Sequence, residues 1–410
     1  MLAAPADPGY ASRGVTETPR PGWPEILRAA GAALGRELGR PVALGEPAPM
    51  IDGWTARHGE PPCVRRCVVS GLAGRSPTSV VVKTTRPAGD VRGGDTLRRE
   101  RAALTLLAEL GSNAGPRLFA HGEGFLVLED LGRGPAVEDL LVGDDPAAAT
   151  EALVALATAV GAMQAATHGR EDAFHARLAG SGIRRGADRR IVAESTIERC
   201  WATLGEFVAA GAGLPPTRDA DADIEEMTAW LADPGPLLAL STGDLAPQNC
   251  RVAGGAVRLL DFERASFRHV MLDTAQLRLP FCGAPCWGRL PFEVTEAMES
   301  AFRTELARTC PAVLAQRTYR SGMATATAAW AVTRLVRLPK LVAQDEPHPM
   351  GFSRRGQLLD TIQSAIDAAG AAGALPALRS WFEHTMAALR RIWPGLPPAQ
   401  DVYPAFRGHV

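Results

Sequence analysis

Within "LSTGDLAPQNCRV", residues 240 to 252, Asp244 and Asn249 stand five positions apart between apolar flanks. Asp261 ends the strand-like run "VRLL" twelve residues after Asn249. An acid, an amide and a second acid so spaced suit phosphoryl transfer from a nucleotide. That reaction needs little covalent help from a protein: a base to orient a hydroxyl, side-chain oxygens to hold Mg²⁺ against the phosphates, and a cation for phosphate charge. Asp244 can be the base, and Asn249 and Asp261 the metal ligands. Pro247 stiffens the loop between them, and "CRVAGGAVRLL" has the length of a two-strand hairpin that returns Asp261 to the Asp244 end of the site.

The cation is Lys83. Of 44 basic residues only Lys83 and Lys340 are lysine, so a lysine in this chain is an exception. Lys340, in "RLVRLPKLVA", reads as a surface residue, whereas Lys83 interrupts the β-branched run "SVVVKTT" and needs a reason to be there. On a strand it shares a face with Val81 and Thr85, while Val80 and Val82 point away. Glu100 lies at offsets of three, four and seven from Leu97, Leu104 and Leu107, which puts a carboxylate inside the apolar stripe of a helix. A charge so placed needs a partner, and Lys83 on the sheet beneath is the nearest.

Two kinds of structure must position these residues. After residues 1–20, which read as a disordered leader, "WPEILRAAGAALGREL" predicts a short helix with proline in its first turn. The stretches "PVALGEP", "PPCVRRCVVSGL" and "SVVVKTT" then read as an antiparallel meander. "GGDTLRRERAALTLLAELG" reads as a helix with Asp95 as N-cap and Gly111 as stop, and strands follow at "PRLFA" and "GFLVLED". These five strands and their helix, behind the short leading helix, make an N-lobe that spans 21–130. Residues 131–410 are mainly helical, with strand character returning only at "LLALS", "NCRVA" and "AVRLL". The fold class is α+β: a small antiparallel-sheet lobe followed by a larger helical one.

Composition narrows the function. A chain of 410 residues exceeds the roughly 250 to 300 at which one core stops growing, in keeping with two lobes. A formal charge of -1 gives no electrostatic case for nucleic acid. The leader carries Asp7, Arg13 and Glu17 without an apolar segment, so it is not read as a signal peptide. Apolar windows such as "LVALATAVGAMQAA" are shorter than the ~20 residues of a membrane span. The expectation is a cytoplasmic protein with no membrane partner, and its seven cysteines fit reduced thiols. Cys63/Cys67 and Cys282/Cys286 share a C-x3-C spacing, but no histidine partner is evident, and buried free thiols are the simpler reading.

In "TGDLAPQN" and "VRLLDFE" the chain resembles the aminoglycoside phosphotransferase and choline kinase-like family, whose members have the protein-kinase-like fold. The likeness runs from the meander near residue 41 through Lys83, Glu100 and the hinge-like "FLVLEDLG" to Asp273 in "MLDTAQL". It implies that Asp244 is the catalytic aspartate and that Asn249 and Asp261 bind Mg²⁺. Lys83, paired with Glu100, would position the α- and β-phosphates of ATP or GTP, and the backbone from Glu129 to Leu131 would meet the base. Three features depart from the family. Thr242 replaces the histidine usual before Gly-Asp, which puts the rigidity of that loop in question. Gln164 stands where many relatives have histidine, and the loop "MIDGWTARHGEPP" has no G-x-G-x-x-G.

The implied activity is Mg²⁺- and ATP-dependent transfer to the hydroxyl of a small molecule. The alternatives are a kinase acting on Ser or Thr of a peptide or protein, and a non-catalytic nucleotide-binding protein. Residues 301–410 contain thirteen Arg or Lys against seven Asp or Glu, a net of +6, so a neutral or anionic acceptor is expected over a polycation. The acidic run "DADADIEE" reads as a solvated face with an adjoining helix start, though folded over the cleft it would form an acidic lid. Trp287, Phe292, Trp330 and Trp381 read as core aromatics before pocket lining.

Overall fold

The computed structural model describes residues 22–50, 63–72, 76–85, 95–192, 195–279, 281, 288–346, 352–397 and 401–408. The proposed leader, most of the "MIDGWTARHGEPP" loop, Cys282, Cys286 and Trp287 lie outside them. The helix Trp23–Leu38 begins with Pro24 in its first turn and ends where Gly39 turns left-handed. Its buried Ala30, Ala33 and Leu34 pack on Val80, Val82 and Val127 of a six-stranded antiparallel sheet. The strands are β1 (Ala43–Leu44), β2 (Ala48–Pro49), β3 (Val64–Ser70), β4 (Ser79–Thr84), β5 (Leu118–Gly122) and β6 (Phe125–Glu129), in the order β1-β3-β4-β6-β5 with β2 also on β3. One strand was expected over 41–47, but β1 covers only Ala43–Leu44 of it and β2 follows beyond Pro47, which has no N–H to continue a ladder.

The other face of β4 carries Val81 and Lys83 toward the helix Asp95–Glu109, whose Leu97, Leu104 and Leu107 are buried with Val81. Both faces of β4 are therefore covered, and its valines contribute about 1.5–3 kcal/mol each on full burial. That explains an unbroken β-branched run. Asp95 stands at the start of this helix as described, and the residues before it lie outside the described ones.

The remainder is helical around short strands. Asp145 caps the helix Pro146–Thr167 by accepting from the Ala147 and Ala148 N–H groups at 3.0 Å. This helix is long and apolar enough to cross a membrane by length and composition, contrary to the shorter window expected. Here it packs inside the lobe, with Leu153, Leu156, Val160 and Met163 fully buried. At Gly161 a Cβ would stand 2.7 Å from the Phe302 carbonyl, so glycine allows the helix Phe292–Leu306 to lie against it. A short pair, β7 (Ile191–Val192) and β8 (Ser195–Thr196), precedes β9 (Leu238–Ser241) and the hairpin of β10 (Cys250–Ala253) and β11 (Ala256–Leu259). A strand not expected, β12 (Ser266–His269), pairs antiparallel with β9; at four residues including Arg268 and His269 it lacks an apolar pattern.

The acidic run is the start of the helix Asp221–Ala232 and not a lid. Asp221 accepts the Trp201 indole N–H at 2.7 Å, and buried Asp223 accepts the Leu378 N–H at 2.7 Å. Trp330 and Trp381 are core, whereas Phe292 is 73% exposed.

Candidate active site

Lys83 is where the two lobes meet. Its Nζ lies 2.7 Å from Glu100 Oε2, 2.6 Å from Asp261 Oδ1 and 3.5 Å from Glu263 Oε2. One ammonium is thus shared by three carboxylates. Burial alone would lower the Lys83 pKa, but Asp261, Glu100 and Glu263 outweigh it and hold the amine charged, well above its ordinary value. Burial pushes Glu100 up to about 7; Lys83 opposes that rise and Asp261 adds to it. Glu263 was not singled out in the sequence, although it sits two residues past Asp261 in the same motif.

Local backbone and the neighbouring helix fix these groups. Asp261 is left-handed at φ 62°, ψ 65°, a conformation disfavoured for a non-glycine residue that the flanking β11 and the turn Phe262–Arg264 impose. Buried Phe262 anchors that turn against the helix carrying Glu100. Arg99, beside Glu100, donates to Asp188 at 2.5 Å and to the Ala265 carbonyl at 3.2 Å, tying the same helix to the helical lobe.

Asp244 follows β9 in a loop held by a buried network. Ser241 Oγ donates to Asp273 Oδ1 at 2.7 Å and accepts from the Gly243 N–H at 3.0 Å. Asp273 also faces Arg268 at 3.3 Å and accepts from Gln164 at 3.1 Å. The loop that carries Thr242 is braced by Ser241, Asp273 and Arg268, and Gln164 serves as one more donor. Gly243 is required: its φ is 82° and a Cβ would stand 2.3 Å from the Arg264 carbonyl. Burial raises the Asp244 pKa above the ordinary carboxylate value; Arg264 and Arg334 oppose this, and Asp261 and Glu263 add to it. A carboxylate so raised is better matched to accepting a proton near neutral pH.

Asn249 donates to the Asp244 carbonyl at 3.2 Å, which leaves its side-chain oxygen for another partner. Leu260 N–H donates to the Asn249 carbonyl at 2.7 Å, so the β10–β11 hairpin brings Asn249 and Asp261 together as its length suggests. At the hinge, the Glu129 N–H is already bound to the Arg117 carbonyl at 2.8 Å, and the Glu129 side chain pairs with Arg258 at 2.9 Å. The Leu131 N–H makes no hydrogen bond among the described residues. Lys340 is at the surface, 75% exposed and paired with Glu346. Neither Cys63 nor Cys67 forms a disulfide among the described residues.

A sheet lobe and a helical lobe that bring an ammonium, paired carboxylates and a braced aspartate to one seam define the phosphotransferase class. The chain belongs to the phosphotransferase enzyme family, whose model matches residues 68–287, more than half its length. No curated protein matches it. Similar solved structures include an ethanolamine kinase of Plasmodium vivax, 14% identical, covering 83% of this chain and 83% of that one with a TM-score of 0.45. Another is the choline kinase LicA of Streptococcus pneumoniae, 15% identical, covering 80% and 94% with a TM-score of 0.42. A third is the macrolide 2'-phosphotransferase MphH of Brachybacterium faecium, 18% identical, covering 70% and 91% with a TM-score of 0.39.

Proposed function

We propose that this phosphotransferase moves the γ-phosphoryl group of ATP or GTP to a hydroxyl of a small molecule, in the cytoplasm and with Mg²⁺. The observation that carries the reading is Lys83, held charged between Glu100 and Asp261 at the seam between the lobes. In it, residues 21–130 bind the nucleotide, with the Glu129 carbonyl and the Leu131 N–H toward the base, and residues 131–410 supply the catalytic loop and the acceptor site.

The donor set fits Mg²⁺. Among the described residues no three His, Cys, Asp or Glu side chains form a metal cage. Mg²⁺ is usually held by one or two carboxylates together with substrate phosphates and water, and Asp261 with the Asn249 oxygen matches that need. When bound, the ion offsets phosphate charge. The chain's own residues do the rest. Lys83 binds phosphate oxygens while Glu100 fixes its position, and Asp244 orients the acceptor hydroxyl and takes its proton. The braced loop from Ser241 to Asn249 keeps that carboxylate in place.

The test is incubation with γ-labelled ATP or GTP, Mg²⁺ and a panel of hydroxyl compounds, with a Ser/Thr peptide alongside. Label should move to a small acceptor. Label transferred only to the peptide would favour a protein kinase, and label that never leaves the nucleotide would contradict phosphotransfer.

A further inference from the structure

Two ion pairs tie the helix Asp95–Glu109, which carries Glu100, to the helical lobe. At its far end Glu109, 54% exposed, pairs with Arg177. Near its start Arg99 Nη1 reaches Asp188 Oδ2 at 2.5 Å, and here the two side chains are only 17% and 21% exposed. The same nitrogen donates at 3.2 Å to the carbonyl of Ala265, four residues after Asp261. An exposed pair contributes little, whereas one shielded from water keeps more of its Coulombic attraction. Arg99 therefore carries most of the tie, and it is the residue next to Glu100.

Asp188 is itself held from behind, as an anchor must be. Arg189, beside it, donates to both oxygens of Glu171 at 2.9 Å and to the Ala232 carbonyl at 3.1 Å, and Arg185 donates to Glu171 Oε2 at 2.7 and 2.9 Å. Burial of Glu171 would raise its pKa, but the two arginines outweigh that and hold it below the ordinary carboxylate value. A little further on, the Ile191 carbonyl accepts from Arg268 at 3.1 Å, and Arg268 faces Asp273 in the brace of the Asp244 loop. Residues 185–191 thus connect the helix of Glu100 to the scaffold of Asp244.

Glu100 needs such a tie. Lys83 stands between Glu100 at 2.7 Å and Asp261 at 2.6 Å, so two carboxylates compete for one ammonium. A helix free to drift would carry Glu100 away and leave Lys83 on Asp261, the carboxylate assigned to Mg²⁺. We propose that Arg99 and Asp188 are positioning residues: they form a latch that keeps Glu100 against Lys83, so that Lys83 and Asp261 remain able to receive Mg²⁺–ATP. This rests on the phosphotransferase reading above.

Calorimetry of Mg²⁺–ATP binding tests the latch, with stoichiometry reporting how much of a variant is folded and Kd reporting the site. Asp188→Asn and Arg99→Gln should each weaken binding by about tenfold, as for the loss of a hydrogen bond to a charged group. The double variant should bind no more weakly than the weaker single, because the two partners act as one unit. Asp188→Glu should recover part of the affinity. Arg190→Gln, which removes a more exposed charge paired with Glu198 two residues away, should bind as wild type. In a Glu100→Gln background Asp188→Asn should cost no further affinity, since the latch acts through Glu100; a merely structural pair would weaken binding there by the same factor. Hydrogen exchange without nucleotide reads the latch itself, and amides of the helix Asp95–Glu109 should exchange faster in Asp188→Asn. Wild-type affinity in Asp188→Asn, an undiminished loss in the Glu100→Gln background, an equal loss in Arg190→Gln, or unchanged exchange overturns the proposal. A wild-type protein that binds no Mg²⁺–ATP overturns the parent reading instead.

Discussion

The Lys83 corner and the Asp273 brace are both buried clusters of charge, yet they are built on opposite principles. At Lys83, three carboxylates share one ammonium, and the cluster joins residues from both lobes. At Asp273, one carboxylate receives Arg268, Ser241 and Gln164, all from the helical lobe. The first has surplus negative charge and an Asp261 that is about a quarter exposed; the second is closed, with both oxygens of its carboxylate engaged. A surplus at an opening suits a site that takes in a cation and a phosphate-bearing ligand. A closed network suits a scaffold. Substitution should therefore damage function at the first and stability at the second.

The largest effect is expected at the brace. Asp273→Ala leaves the Arg268 guanidinium buried without its carboxylate, and breaking a buried pair in this way costs about 3–5 kcal/mol. Urea unfolding followed by circular dichroism reads that loss. A change below 1 kcal/mol would show that the network is not a scaffold.

Lys83→Arg comes next and breaks the comparison from the other side. A planar guanidinium does not replace a compact ammonium held between Glu100 and Asp261, so turnover should fall by roughly a hundredfold, nearly as far as in Lys83→Ala, with the fold intact. Lys340→Arg should be silent. Wild-type kinetics for Lys83→Arg would leave Lys83 a structural lysine.

The smallest effect is a pH dependence. Glu100 sits at about 7 in the folded chain against an ordinary 4.5, because burial outweighs Lys83 and because Asp261 and Glu263 face it as well. The folded state holds the extra proton between those values, so stability should fall as pH rises from about 4.5 through 7, on the order of 1–3 kcal/mol. Glu100→Gln should flatten that slope. An unchanged slope would place the titration elsewhere.

Much of the Lys83 corner was legible in the sequence. Lys83 was conspicuous among arginines, Glu100 by its place in a leucine stripe, and Asp244, Asn249 and Asp261 by spacing along one continuous stretch. The brace was less so, since Asp273 came only through family resemblance. Arg268 gave no signal, because a chain with this many arginines marks none of them, and only tertiary packing shows that it meets Asp273. The strand β12 was missed for the same reason, since its pairing with β9 organises a polar four-residue segment that has no periodicity of its own.

The most direct test of the central claim is to measure nucleotide binding and phosphoryl transfer in one variant, Asp244→Asn. If Asp244 is the positioned base of a phosphotransferase, calorimetry should show Mg²⁺–ATP affinity close to wild type while transfer falls by roughly 10² to 10⁴-fold. Transfer at the wild-type rate, or nucleotide affinity lost together with it, would contradict that role.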